Sequence, residues 1–247
     1  MYTCIHLGFI PAGSGNSLCH DLGSINPIEV ARRIGRGEAC WMDVNEVHHG
    51  VERPTLSMNT VAWGLVGDVG VVAEGWRCLG PSRYDLCALW GVAKAQAEHL
   101  QVKSGHSVLV NATCTTAFVN HTQYFGQGLR AAPHARLDDG LMDVVVVQPM
   151  TRDDMLKLFQ LLPDGNHVND PSVVSRQLQQ AVFKPRSRRG VLNIDGEIYP
   201  RNGPFTVTVL PKLMRIFVPV NALALGPGVK HDAAALVVET QPRIDTV

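Results

Sequence analysis

The hydrophobic and polar positions along this chain change their period near residue 40. Before it, the apolar run Cys4 to Ile10, with His6 inside, predicts a strand, and Ser17 to Leu22 reads as a short helical segment. Pro27 to Gly37 predicts a helix, with Pro27 near its start, Ile28, Val30, Ala31 and Ile34 on one face, and Arg32, Arg33 and Arg36 outside. From Ala39 onward the pattern turns to short, valine-rich, alternating runs. These predict strands at Trp41–Val47, Thr55–Trp63, Ser107–Ala112, Leu141–Val147, Ala181–Phe183, Gly190–Ile194, Phe205–Leu210 and Leu213–Val218. Clusters of Gly, Pro, Asp and Asn separate them. Two helices interrupt the strands. Arg83 to Leu100 sets Leu86, Leu89, Trp90, Ala93 and Ala97 at helical spacing. Thr151 caps the second, with Asp153 and Asp154 in its first turn and Met155, Leu158, Phe159 and Leu162 along one face. About 40 residues of α/β character thus precede a mostly antiparallel β region. After Asn221 few order signals remain, and residues 222–247 read as a loose tail.

Composition narrows the partners. The chain has 247 residues, enough for one large domain or two small ones, and 45% of them are hydrophobic, so a sizeable core is available. Charged residues make up 18% and the formal net charge is zero, which gives no reason to expect nucleic acid as a partner. Six cysteines (Cys4, Cys19, Cys40, Cys78, Cys87 and Cys114) are scattered without a Cys-x-x-Cys pair, which suits reduced, buried thiols in a cytoplasmic protein. No apolar run approaches the ~18 residues of a membrane span. The N-terminus has no basic region followed by a long apolar one, so no signal peptide is read there. Asn111-Ala112-Thr113 and Asn120-His121-Thr122 match the glycosylation pattern and are expected to be idle in that setting.

Candidate chemistry begins at Pro11-Ala12-Gly13-Ser14-Gly15-Asn16, between the first strand and the first helical segment. A strand, a glycine-rich turn and a helix start present bare backbone N–H groups to a phosphate. Gly13 and Gly15 permit close approach, and Ser14 or Asn16 can cap the helix. The same four residues also serve as an ordinary turn. Asp195-Gly196-Glu197 lies between two strand candidates and has two readings as well. It is a plain hairpin turn, or a pair of carboxylates that holds Mg²⁺ through water and takes a proton from a hydroxyl nucleophile. Leu137 to Asp143 is a turn before the strongest apolar strand, and Gly126-Gln127-Gly128 with Pro133 suggests a loop whose backbone approaches something closely. Arg77 and Arg83 match phosphate oxygens bidentately or are simply solvated. Lys184 to Arg189 reads as a solvated basic loop, and His48-His49 lacks a ligand cluster.

Taken in order, these stretches resemble a known family. Gly8 to Asn16, Asp43 on a strand, Trp63-Gly64, Asp68, Glu74, Arg77, Leu79-Gly80, Arg83, Pro133, Ala135, Leu137 to Gly140 and Asp195-Gly196-Glu197 together resemble the diacylglycerol, sphingosine and ceramide lipid kinases. The series spans most of residues 5–218. Met42-Asp43-Val44, Val47-His48-His49 and Arg83-Tyr84-Asp85 are similar to ceramide kinases. Ser14 to Leu18 and Ala62 to Leu65 are similar to sphingosine kinases. The resemblance implies an α+β chain: the remnant of an α/β nucleotide-binding domain over residues 1–40, then a mostly antiparallel β-sandwich domain with two helices over residues 41–221. It implies ATP and Mg²⁺ as cofactors and a sphingolipid primary hydroxyl as acceptor. Gly13, Ser14, Gly15 and Asn16 then meet the nucleotide, and Arg77 and Arg83 its phosphates. Asp195 and Glu197 act in catalysis beside the metal. Asp68, Gly70, Leu86, Leu89 and Trp90 face the lipid. The partner is a sphingosine- or ceramide-like lipid reached by peripheral membrane contact.

Two departures qualify that expectation. The family's Gly-Gly-Asp-Gly-Thr motif is absent from these residues, so the chain is expected to begin inside the first domain and to be inactive alone. Sphingosine kinases also carry an acidic residue two positions after Asp68, where it reads the sphingoid amine; here that position is Gly70, which leaves ceramide, or both lipids, as substrates. The rival readings are a non-catalytic lipid-binding or interaction module and a diacylglycerol kinase. The Trp63–Arg83 block argues against the related NAD kinases.

Overall fold

The computed structural model describes residues 6–13, 15–37, 39–76, 83–126, 128–187, 190–200 and 203–217. Two sheets face one another. One runs β3 (Thr55–Ser57), β2 (Ala39–His48), β13 (Phe205–Phe217), β10 (Gln180–Pro185), β5 (Glu98–Ser104) and β6 (Ser107–Cys114). The other runs β12 (Glu197–Pro200), β11 (Val191–Ile194), β4 (Thr60–Gly64), β7 (Thr116–Asn120), β8 (Met142–Val147) and β9 (Val173–Leu178). Every pairing within these two orders is antiparallel. The single parallel pair among the described residues is β1 (His6–Leu7) against Arg215 and Ile216 of β13. The mostly antiparallel β region expected from the alternating runs, and the β-sandwich that the resemblance implied, are therefore present.

The pleat explains what each strand buries. Leu100, Val102, Phe183 and Val207 project from the first sheet, and Val61, Val119, Met142, Val144, Leu192 and Ile194 from the second, into one shared core. Phe183 and Phe205 stack there with centroids 4.6 Å apart. The outer face of the second sheet is apolar too, because Ala62, Phe118, Val145 and Val147 lie beneath α5 (Arg152–Gln160) and the loop that carries Ala131. A third cluster joins the start of the chain to the first sheet: Phe9, Leu18 and Leu22 pack on Cys40, Met42, Met58 and Ile216. Residues 6–37 are held to the sandwich by that cluster and by β1.

The helices begin where the sequence supplies caps. Asn26 accepts from the Ile28 and Glu29 amides ahead of α2 (Pro27–Arg36), with Pro27 in its first turn and Gly37 ending it at φ 72°. The Thr151 hydroxyl accepts from the Asp154 amide at the start of α5.

Four features depart from the expectations. The helix expected over Arg83–Leu100 is α4 (Arg83–Lys94), and the chain enters β5 at Glu98. There Leu100 and Val102 are fully buried between β10 and β6, and this tertiary pairing outweighs the helical spacing of Ala93 and Ala97. The strand expected over Thr55–Trp63 is two strands in different sheets, with the crossover at Met58 and Asn59. Phe205–Leu210 and Leu213–Phe217 form one strand with a bulge between Leu210 and Met214. A further helix, α3 (Leu65–Gly75), follows β4 directly, so the sandwich carries three helices rather than two, and β7, β9 and β12 are also additional to the expected strands. Residues 218–247, including the expected tail, lie outside the described residues.

Candidate functional site

Asp195 and Gly196 form the two-residue turn of the β11–β12 hairpin, with Ile194 paired to Glu197. Both turn residues have positive φ, 52° and 96°, as a type I′ turn requires. The turn is more than a link between strands. Asp195 Oδ1 accepts from the Ser57 hydroxyl at 2.9 Å and from the Asn59 and Thr60 amides at 3.0 and 2.8 Å, and Oδ2 accepts from the Met58 amide at 2.6 Å. Those four donors are the crossover between β3 and β4. One carboxylate thus pins the point where the chain changes sheets, with three donors on Oδ1 and one on Oδ2. Glu197, two residues on, is exposed, and its side chain makes no hydrogen bond or ion pair among the described residues. Asp195 and Glu197 are both exposed, and they differ in that Asp195 is bonded to the crossover while the Glu197 side chain is not.

The glycine-rich loop lies in the same packed unit. Asn16 occupies the N-cap position of α1 (Ser17–Asp21) at φ 48°, but its amide folds backward. Its Oδ1 accepts from Gly13 N at 3.0 Å, and its Nδ2 donates to Gly13 O at 2.7 Å, closing the loop on itself. Gly15 lies against Gly126, and the Ser17 hydroxyl accepts from the Gly126 amide at 2.7 Å. Asp21 accepts from the Gln123 and Tyr124 amides at 2.6 and 3.1 Å, and burial lifts its carboxyl to about 7 despite those bonds and the nearby Arg130. Gly126-Gln127-Gly128 was expected to approach something closely, and Gly15 is what its first glycine meets. Met58, donor to Asp195, packs in the cluster of Phe9 and Leu18, which flank the Gly13–Asn16 loop. Ser14 and Arg77 lie outside the described residues, as does the side chain of Arg83, the first residue of α4.

Asp43, the acidic strand residue of the motif series, is fully buried. Its carboxylate accepts from Gly140 N at 2.6 Å and Lys212 N at 2.7 Å, tying the 138–140 turn to the β13 bulge. His121, also fully buried, follows β7. Its Nδ1 meets Leu141 O at 3.2 Å, so the other ring nitrogen carries no proton and has no partner. Burial lowers its pKa, although Asp43 and Asp195 act in the opposite sense. Asn120, within the second glycosylation pattern, is fully buried and unavailable in the folded chain.

The substrate candidates separate. Asp68 sits exposed in the first turn of α3, with its pKa raised by the bulk around it. Gly70 opens on no cavity. A Cβ there would stand 2.1 Å from Asn193 Nδ2, and Asn193 Oδ1 accepts the Gly196 amide at 2.9 Å. Leu86, Leu89 and Trp90 project outward from α4 and are exposed. A partly open apolar hollow lies elsewhere, between the outer face of the second sheet and α5. Its cavity volume is about 50 Å³, and it is lined by Leu65, Val66, Phe118, Leu158 and Phe159 among others, with His167 the one imidazole. Sequence reasoning passed over Asn193 and His167; neither belongs to a spacing pattern that marks a ligand site.

With this geometry in view, comparison with known proteins is direct. Residues 59–218 match the family described as the YegS C-terminal NAD kinase β-sandwich-like domain. Sphingosine kinase 1 of Arabidopsis thaliana is 23% identical over 79% of this chain and 50% of its own length. Ceramide kinase 1 of Caenorhabditis elegans is 25% identical over 86% and 47%. A diacylglycerol kinase of Mycobacterium tuberculosis is 26% identical over 67% and 55%. The chain spans about half the length of these relatives. A crystal structure of a diacylglycerol kinase from Bacillus anthracis superposes with a TM-score of 0.64 at 14% identity, covering 88% of this chain and 68% of that one, and so shares the fold.

Proposed function

The chain belongs to the family of the YegS C-terminal NAD kinase β-sandwich-like domain, and on that premise we propose that it is the acceptor-binding part of an ATP-dependent lipid kinase acting on the primary hydroxyl of a sphingolipid. In this reading residues 1–40 end a nucleotide-binding unit and residues 41–221 hold the lipid. Gly13–Asn16 meets the nucleotide, and Arg77 and Arg83 neutralise its phosphates. The observation that carries the reading is the course of β4. It starts at Thr60, whose amide Asp195 holds, and ends at Gly64, from which Leu65 and Val66 enter the apolar pocket. One short strand joins an open acidic turn to an apolar hollow.

The two carboxylates divide the work. Glu197 is free to accept a proton from the acceptor hydroxyl or to stand beside Mg²⁺, whereas Asp195 holds the crossover in register. Mg²⁺ in phosphoryl transfer commonly takes one or two carboxylates, with substrate phosphates and water supplying the rest. Glu197 fits that role as a single open ligand, and no group of three or more potential metal-ligating His, Cys, Asp or Glu side chains occurs among the described residues. When bound, the ion would neutralise charge on the transferring phosphoryl group.

The test uses the complete protein, with labelled ATP and vesicles carrying sphingosine, ceramide or diacylglycerol in turn. Glu197→Gln is expected to lower turnover by about 10²-fold without moving the melting curve. Normal turnover in that variant would return the turn to a plain hairpin. The chain as given, without the Gly-Gly-Asp-Gly-Thr segment, is expected to transfer no phosphate. A second reading, a lipid-binding module without catalysis, is favoured by the apolar lining of the pocket.

A further inference from the structure

Asp21 is the last residue of α1, and its carboxylate reaches across to the loop that follows β7. Oδ1 accepts from the Gln123 amide at 2.6 Å and Oδ2 from the Tyr124 amide at 3.1 Å, so its two oxygens grip successive amides. Two more residues of α1 meet the same loop. The Ser17 hydroxyl accepts from the Gly126 amide at 2.7 Å, and the His20 ring lies against Tyr124 with centroids 5.6 Å apart. That loop is fastened to the sandwich in turn. Gln123 Oε1 accepts from Arg130 Nε at 2.9 Å, its Nε2 donates to Ala135 O at 3.3 Å, and its carbonyl accepts from the Ala132 amide at 3.1 Å. On the other side of α1, the Gly13–Asn16 loop runs straight into the helix. Asn16 closes on Gly13, and its carbonyl accepts from the His20 amide at 3.1 Å. Asp21 therefore stands between the glycine-rich loop and a part of the sandwich that is already held.

We propose that Asp21 is a positioning residue for the nucleotide: by clamping α1 to the Gln123 and Tyr124 amides, it sets the Gly13–Asn16 loop in place before ATP arrives. The inference rests on the reading of that loop as the nucleotide site. Asp21 touches no phosphate in it and acts through α1. A loop that offers backbone N–H groups to phosphates binds more tightly when its conformation is set beforehand, because ordering it on binding costs affinity. Hydrogen bonds to a carboxylate are roughly twice as strong as neutral ones, so Asp21, with two of them, is a stronger tie than the Ser17 hydroxyl with one. The effect falls on one substrate. The lipid acceptor is held elsewhere, and its binding does not depend on this clamp.

The experiment uses the complete protein, with ATP, Mg²⁺ and whichever of sphingosine, ceramide or diacylglycerol it turns over fastest. Asp21→Ala is expected to raise KM for ATP about 10-fold, the lower end of what a bond to a charged acceptor is worth, while KM for the lipid stays within about 2-fold. Asp21→Asn keeps an oxygen for one amide and turns an NH₂ group toward the other, so its rise is expected to be about threefold. Equilibrium titration with ATP checks that the KM change is a change in binding. Thr151→Ala removes the α5 cap, and is expected to lower Tm without moving KM for ATP. A KM for ATP in Asp21→Ala that moves no more than in Thr151→Ala overturns the proposal. So does a KM for the lipid that rises in step with it, because that is the mark of general loosening. If Asp21→Ala fails to fold, Asp21→Asn decides in its place, and an unmoved KM for ATP there overturns the proposal. Asn16→Ala opens the glycine-rich loop directly and tests the underlying reading. If it raises KM for ATP and Asp21→Ala does not, the clamp alone has failed. If neither moves it, the loop is not the nucleotide site, and that reading has failed together with the inference built on it.

Discussion

Replacing Asp195 tests whether one carboxylate holds the sheet crossover. Four hydrogen bonds end on it, three from backbone amides and one from Ser57. Each is worth about 0.5–1.5 kcal/mol net, more when the acceptor is charged, and partial exposure of the crossover favours the lower part of that range. Asp195→Ala loses all four and places alanine at φ 52°, which adds about 1 kcal/mol. The expected cost is about 4 kcal/mol. Asp195→Asn keeps an oxygen at the Oδ1 position, where three of the four donors converge, and asparagine tolerates a left-handed backbone. Its expected cost is about 1 kcal/mol. At about 2–4 °C per kcal/mol for a chain of this size, alanine lowers Tm by roughly 8–16 °C and asparagine by roughly 2–4 °C. Urea denaturation followed by circular dichroism reads both. Equal, small losses would refute the pinning argument. Turnover of the complete protein adds a second check: Asp195→Asn should stay within about tenfold of wild type while Glu197→Gln falls by about 10²-fold.

Gly64 joins β4 to α3 at φ 73° and ψ −142°, and a Cβ there would stand 2.5 Å from Thr115 O. Gly64→Ala should cost at least about 3 kcal/mol in chemical denaturation, whereas Gly105→Ala, at φ 55° with open space around it, should cost about 1. Asp143, 2% exposed on β8, has its carboxyl raised to about 7, mainly by burial and further by Asp139. The folded chain then keeps a proton that the unfolded chain releases near pH 4. Its contribution is complete below that pH and is lost as pH rises through about 7, on the order of 2–4 kcal/mol. Asp143→Asn should flatten that part of the stability–pH curve, and an unchanged slope between pH 4 and 8 would count against it. Gly70→Ala and Asn193→Ala should each loosen the turn by about 1 kcal/mol, and the double variant should cost less than their sum, because both disturb the Asn193–Gly196 bond. Strict additivity in the denaturation cycle would sink that coupling.

Much of the sandwich was legible because its strands obey a period of two and its turns carry the residues their backbones need. Asp195-Gly196 carried a hairpin-turn reading beside its catalytic one, and Thr151 read as a cap. Where the reading stopped, the cause was tertiary. Gly67 and Gly70 make Leu65–Gly75 look like a poor helix on propensity. In the fold their missing side chains let α3 lie on β4 and β11, with Ala62 O 3.2 Å from the Cβ position at Gly67. The break at Met58-Asn59 has no local signal, since the residue that causes it is Asp195, more than 130 positions away. His167 was equally silent. A lone histidine in a polar stretch gives no hint that one nitrogen meets Ala131 and the other is left without a partner.

The same long-range logic bears on substrate choice. A carboxylate at position 70 would be the direct way to meet a sphingoid ammonium, and the sequence has glycine there. The fold gives a physical reason for the glycine that is independent of any substrate: Asn193 occupies the space and uses its oxygen to hold Gly196. A charge introduced by Gly70→Asp would press on that amide and on Ile198 before it reached a ligand. Its first effect should therefore be on the Asp-Gly-Glu turn, and with it on turnover for every acceptor alike. Among the described side chains of α3, Asp68, exposed two residues earlier with its pKa raised by its surroundings, offers a carboxylate to an ammonium or an amide. Asp68→Asn is the sharper probe of acceptor choice. If it changes the ratio of sphingosine to ceramide turnover while Gly70→Asp lowers both together, recognition lies at Asp68. If Gly70→Asp alone shifts the ratio, Asn193 yields more easily than its hydrogen bond implies.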